Sequence, residues 1–216
     1  MTTIASLGGV RAGGALAEPL GGFHAPRSDP SDMIRTDRLD LMPATAELLH
    51  AELAGAGRFH AVIGKRVPAD WPPDLYDEGA IRHYLALLTG APGSERWGTY
   101  YIARRTTGDE GGVLVGVGGF KGAPDSERTV EVGYSVVPSH QRRGYATEAV
   151  AGFVRFAMAA ANVRRVVAHT LPHLHASIGV LRKAGFAYAG AGTDPDAPPG
   201  VAVVRYELNV RPGSAG

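Results

Sequence analysis

The stretch His140 to Ala149, HQRRGYATEA, puts two arginines and a glycine where an alternating apolar run ends and a helical one begins. Upstream, TVEVGYSVVP alternates. Downstream, Val150, Phe153, Val154, Ala157, Met158 and Ala161 make one apolar stripe at helical spacing. A helix opening here presents unpaired N–H groups and about half a positive charge at its first turn. Gly144 lets a ligand approach the backbone, and Arg142 and Arg143 add charge at the same spot. An anchored, basic helix end of this kind is how a phosphate site is built. An ordinary strand-to-helix turn with solvated arginines fits the same residues. The turn is neither a P-loop nor GxGxxG.

The strand that delivers this turn is predicted over Thr129–Val137. Val130, Val132, Tyr134 and Val136 share one face, while Glu131, Gly133 and Ser135 share the other, small and polar like the floor of a ligand cleft. Pro138 cannot donate to a ladder, so a bulge is expected at Val136–Pro138. Farther on, His169, His173 and His175 crowd HTLPHLH. A strand end followed by a turn does not aim three imidazoles at one point, and no nearby carboxylate or cysteine completes a ligand set. No metal is expected.

Around these residues the chain reads as strands with helices inserted. RLDLMP, WGTYYIARR, VLVGVGGFK, RRVVAHTL and VAVVRYELNV are predicted strands beside Thr129–Val137, with TTGDEGG and GAPDSER as turns. Thr45–Ala54, DEGAIRHYLALL and Ala176–Ala184 are predicted helices beside the one running to Ala161, and Gly185 ends the third. The segment ADWPPD falls in a loop. This pattern means an α+β fold with a mixed sheet of about seven strands. Residues 129–171 are long enough for a parallel right-handed crossover.

Residues 1–34, rich in Gly, Ala and Pro, read as a flexible tail; 35–211 as the folded domain; 212–216 as a short C-terminal tail. Met33 stands directly before the first structured stretch and is a candidate start, which mass spectrometry of the native protein would settle. A net charge of +1 argues against an extended nucleic-acid footprint. With no cysteine, disulfides, thiolate nucleophiles and cysteine zinc sites are excluded. No apolar run reaches the roughly 18 residues of a spanning helix, so a cytoplasmic protein is expected.

Gln141-Arg142-Arg143-Gly144-Tyr145-Ala146 resembles the Q/R-x-x-G-x-G/A signature of the GCN5-related N-acetyltransferases (GNAT). The likeness extends through VEVGYSVVPSHQRRGYATEAV and TLPHLHASIGVLRKAGF, and TDRLDLMPAT resembles the first strand of the ribosomal-protein N-acetyltransferase-like branch. It covers about Thr36 to Val210. The resemblance implies a mostly antiparallel sheet with a splayed parallel central pair. It implies acetyl-CoA as co-substrate and a primary amine as acceptor, either a protein N-terminus or a small molecule, in a direct ternary complex.

By the same resemblance, Arg142, Arg143, Gly144, Tyr145 and Ala146, with Thr147 nearby, hold the pyrophosphate. The pantetheine arm lies between the splayed strands. A backbone N–H of Val136 or Val137 polarises the thioester, as in an oxyanion hole. Glu131 is the candidate base for the amine, directly or through water, and burial is expected to raise its pKa. Its alternative is a carboxylate paired with an arginine on a solvated face. Ser177 matches the serine of the branch's N-x-x-S motif and is the candidate contact for the CoA sulfur or pantetheine; a helix N-cap or first-turn serine fits it equally. The motif's asparagine falls at Leu174, so an amide contact to the cofactor is missing. This departure motivates a rival reading, a CoA-binding regulatory or interaction module with little turnover.

Trp71, Asp74 and Tyr76 are candidate walls of the acceptor pocket, although a Trp among prolines also serves as a packed loop anchor. Arg104, Arg105, Arg164 and Arg165 read as solvated strand-end charges. The resemblance also allows a homodimer.

Overall fold

The computed structural model describes residues 33–90, 94–106, 111–160, 162–193 and 200–209. The expected tails, except for Met33 and Ile34, as well as residues 107–110 of the TTGDEGG turn and Ala161, lie outside the described residues.

The strands are β1 (Ile34–Arg35), β2 (Leu39–Pro43), β3 (Thr99–Arg104), β4 (Val113–Phe120), β5 (Thr129–Val136), β6 (Arg165–Thr170), β7 (Ala187–Gly192) and β8 (Val203–Asn209). They form one mixed sheet of eight strands, ordered β1-β2-β3-β4-β5-β6-β8-β7. The helices are α1 (Ala46–Leu53), α2 (Ala56–Ile63), α3 (Glu78–Gly90), α4 (Tyr145–Ala159) and α5 (His175–Lys183).

Two strands go beyond those read from the sequence. β1 is only two residues long. β7, AYAGAG, has no β-branched residue and is held by its antiparallel rungs to β8. Helix α2 also falls in a stretch read as loop. It is a short AGRFHAVI segment between Gly55 and a left-handed Gly64, fixed by burying Phe59 and Ile63 one turn apart.

The central pair decides the architecture. β5 and β6 run parallel, but their rungs stop at Glu131↔Val167. Beyond that point β5 stays paired with β4 through Val136, while β6 stays paired with β8 through Thr170. The two strands therefore part, leaving an open wedge between Val132–Val136 and Ala168–Thr170. Helix α4 makes the crossover between them.

Each face of the sheet carries a core. Under α4 and α5 lie Leu41, Tyr100, Phe120, Val132, Phe153 and Leu181; under α1 to α3 lie Leu49, Phe59, Tyr76, Tyr101, Leu114 and Val117. Phe120 meets both Phe153 and Trp97 in edge contacts, at 5.7 and 5.0 Å, where α4 crosses the sheet. The apolar stripe of α4 is buried at Val150, Phe153, Val154 and Ala157, whereas Met158 is 44% exposed. The expected bulge at Val136–Pro138 is absent: β4 and β5 pair in continuous register over Gly116↔Val136 to Phe120↔Val132, and the chain then enters a 3₁₀ turn, Pro138–His140.

Candidate active site

The turn into α4 is built for backbone exposure. Arg142 and Gly144 both take positive φ, 60° and 82°. Gly144 is the N-cap of α4 and supplies no side-chain cap, so the first amides of the helix have no intrahelical acceptor. Gln141 pins the turn by donating from Nε2 to the Val136 carbonyl at 2.9 Å.

Arg38 clamps the turn from outside. Its Nη1 donates to the Arg143 carbonyl at 3.1 Å, its Nε lies 2.7 Å from Glu148 Oε2, and its guanidinium stacks 4.8 Å from the Tyr145 ring. Burial alone would raise the Glu148 carboxyl. Hydrogen bonds from Thr36 and Arg38, with the Arg38 charge, outweigh it and hold the group below the usual carboxylate range. The one acid in the first turn is thereby neutralised, and Arg142 and Arg143 stay exposed at the mouth.

A cleft of about 340 Å³ opens at this helix end, between β5, the turn and α5. Of the residues expected there, Val136, Arg142, Gly144, Tyr145, Ala146 and Thr147 line it, whereas Val137, Arg143, Leu174 and Ser177 do not. Ala176, Gly179, Val180 and Lys183 complete the α5 wall. Their spacing of three to four residues along HASIGVLRK was readable as one helix face, and it ends in a cation.

Backbone alternation separates the two candidate oxyanion donors. The Val137 N–H donates to the Val115 carbonyl at 3.0 Å, and the Glu131 carbonyl accepts from Lys121 N at 3.0 Å, so odd-numbered residues of β5 address β4. Even-numbered residues therefore turn their amides toward the wedge. Val137 is thus corrected: its donor is taken. Of the two, the Val136 N–H is the one that faces the wedge.

Ser177 is buried at 1% exposure in the first turn of α5, with its Oγ 3.0 Å from Tyr134 Oη. Tyr134 Oη also lies within donating distance of the Ser177 carbonyl, at 3.1 Å. Ser177 is not the N-cap of α5. That position belongs to Leu174, which offers no capping oxygen. Burial pushes the Tyr134 hydroxyl well above its usual pKa, so it stays protonated. The sequence had placed Tyr134 only as one of a valine row; its polar tip in that row was the available signal.

Glu131 lies on the opposite face of the sheet, in a polar cavity of about 290 Å³. Lys121 Nζ and His169 Nδ1 each stand 3.0 Å from its Oε1. The expected rise in its pKa is overturned. Burial does push the carboxyl up, but His169 and Lys121 outweigh burial and hold it below the usual range. Its partners are this lysine and histidine, not an arginine.

A family model described as an acetyltransferase (GNAT) domain matches residues 38–187 of the chain. The chain belongs to that family. Membership brings the coarse activity with it: this GNAT protein is an acetyl-CoA-dependent acetyltransferase. A curated relative, the uncharacterized N-acetyltransferase YjdG of Bacillus subtilis, is 27% identical over 154 residues, covering 71% of this chain and 89% of the relative. The fold is shared with the RimL ribosomal L7/L12 alpha-N-protein acetyltransferase in complex with coenzyme A (TM-score 0.57, 18% identity, 82% of this chain and 98% of that one). It is also shared with the microcin C7 self-immunity acetyltransferase MccE in complex with acetyl-CoA and AMP (TM-score 0.56, 15% identity, 81% and 94%).

In this GNAT protein the loop 65–77 meets the polar face of β5 at Ser135. Ser135 Oγ donates to the Asp74 carbonyl at 2.8 Å, and Trp71 and Tyr76 anchor the loop by donating to Glu52, at 2.7 and 2.8 Å. Tyr101 adds a third donor to the same carboxylate at 2.6 Å. Glu52 went unnoticed in the sequence because its three partners lie far along the chain. Of the three histidines, His169 alone meets Glu131, and no group of three metal-ligating side chains occurs among the described residues. Arg105 is not a solvated charge: it ties Asp40 and the carbonyls of Thr36, Asp37 and Leu39. No described helix is long and apolar enough to cross a membrane.

Proposed function

We propose that the protein transfers the acetyl group of acetyl-CoA to a primary amine in a direct ternary complex, the acceptor being a protein N-terminus or a small-molecule amine. The observation that carries this is the cleft itself. Uncapped helix amides, Arg142 and Lys183 ring a cavity that opens beside the wedge between β5 and β6. The pyrophosphate fits the amides of Gly144 to Thr147 with Arg142 and Arg143 alongside. The pantetheine arm fits the wedge, where the Val136 N–H faces the thioester oxygen.

The acceptor amine enters from the polar face, where Glu131 is ionised and able to draw off a proton, directly or through a neighbour. On the other face the Tyr134 hydroxyl, positioned by Ser177, donates to the departing thiolate. With no cysteine in the chain, attack on the thioester is direct.

Release of free CoA thiol on mixing the protein with acetyl-CoA and a panel of amines tests the reading. The rival module without turnover is motivated by Leu174, which stands at the N-cap of α5 without a side-chain oxygen. Binding of acetyl-CoA without thiol release would favour that rival.

A further inference from the structure

His169 is 6% exposed, the most deeply buried histidine among the described residues, and the chemistry above does not yet use it. It sits on β6 two residues beyond Val167, the last rung with β5, so its ring stands where the wedge begins to open. It lines the polar cavity on the acceptor face. Its Nδ1 lies 3.0 Å from Glu131 Oε1, and Lys121 Nζ stands 3.0 Å from the same oxygen, close ion contacts without hydrogen-bond alignment. Arg205, its cross-strand partner on β8, and Asp125 and Glu127, from the loop between β4 and β5, are the other charges of that cavity.

We propose that His169 is the proton acceptor for the incoming amine, with Glu131 as its positioning residue. This rests on the acetyl-transfer reading and names the base within it. An ionised carboxylate beside Nδ1 fixes the tautomer that carries its hydrogen there, leaving the lone pair on Nε2. Glu131 alone is the poorer base, because two cationic or hydrogen-bearing neighbours stabilise its charge. The ring's other edge needs space, and Gly192 of β7 leaves it. A Cβ at that position would come within 2.6 Å of Cδ2 and 3.0 Å of Nε2.

The steps balance. One proton of the ammonium passes to Nε2, and the freed lone pair forms the C–N bond as the thioester C–S bond breaks. The thiolate takes a proton from the Tyr134 hydroxyl, which regains one as the nitrogen sheds its proton on becoming an amide. The imidazolium then returns its proton to solvent, giving the one proton released when an ammonium and a thioester become an amide and a thiol.

The first test needs no acceptor. Nitrogen-15 spectroscopy of the histidines in the full chain should show His169 as the Nδ1–H tautomer, and Glu131→Gln should disturb that signal. An Nε2–H tautomer in the wild type overturns the proposal.

The second uses thiol release with a serine-led peptide, spermidine and tryptamine as acceptors. For whichever is acetylated, His169→Gln should lower kcat/KM about 10²- to 10⁴-fold. Acetyl-CoA affinity should be unchanged by calorimetry. Gly192→Ala, which crowds the ring most and Arg205 Cβ less, should lower the rate in the same direction. A wild-type rate in both variants would overturn the role of His169. Failure of the wild type to bind acetyl-CoA would instead overturn the acetyl-transfer reading, and this inference with it.

Discussion

Asp70 accepts two hydrogen bonds from Ser139, from its amide at 2.7 Å and its hydroxyl at 2.9 Å. The contact fastens the loop 65–77 to the 3₁₀ turn that leads into the basic turn before α4. Burial opposes ionisation of Asp70, but the Ser139 amide and hydroxyl outweigh it and keep the carboxyl below its usual range. Asp70 thus joins this loop to the turn whose residues line the cleft at the start of α4.

Replacing it should loosen the turn without unfolding the protein. Asp70→Ala is expected to weaken acetyl-CoA binding about three- to tenfold, which is about 1 kcal/mol, a part of what the two exposed hydrogen bonds to this carboxylate contribute. Calorimetric titration checks this. An unchanged affinity would separate the loop from the cofactor turn.

Tyr134→Phe removes the hydroxyl on the thiolate side and keeps the packing of the ring. Turnover should fall about a hundredfold, the lower end for a positioned acid, while acetyl-CoA affinity holds. Ser177→Ala, which removes only the partner of that hydroxyl, should cost less. Steady-state kinetics with a common acceptor decide it, and an equal loss in both would make Ser177 the donor.

The turn and cleft at the start of α4 were legible in the sequence, and the reason is locality. β5, the basic turn and α4 follow one another, so Gly144 and the two arginines announce their own geometry. The contacts around β5 and the loop 65–77 are assembled from afar. Tyr134 and Ser177 are 43 positions apart, and Glu52 and Tyr101 are 49 apart. Nothing along the chain shows that His169 and Lys121 flank Glu131, and those contacts reverse the pKa shift that burial alone suggests. The occupied N–H of Val137 is equally invisible until the pairing of β5 with β4 is known. β7 escaped notice because alanine and glycine carry no strand signature; its partner β8 imposes the strand.

The carboxylate of Glu131 also sets a pH signature on stability. Its folded pKa is depressed below the ordinary value of 4.5, so its stabilisation is present above that pH and is lost as pH falls through the folded value. Thermal melts from pH 7 to 3 should show wild type more stable than Glu131→Gln at neutral pH. The gap should close below about pH 4.5. A constant gap would mean that the ion contacts contribute nothing.

Glu52 should behave as a structural hub. Glu52→Ala leaves the Trp71 indole and the hydroxyls of Tyr76 and Tyr101 without their shared acceptor. The expected loss is about 3 kcal/mol in urea unfolding, at roughly 1 kcal/mol or more for each stranded buried donor. A loss below about 1 kcal/mol would mean the loop is held by its apolar contacts alone.

The central claim is that the cleft at the start of α4 takes acetyl-CoA. Thermal unfolding with and without acetyl-CoA at about 100 times Kd tests it most directly, comparing wild type with an Arg142→Glu, Lys183→Glu double variant. Wild type should gain about 2.7 kcal/mol, a rise in Tm of roughly 5–10 °C. The variant, carrying two reversed charges at the cleft, should shift little at the same concentration. No shift in the wild type, or an equal shift in both proteins, would contradict the assignment.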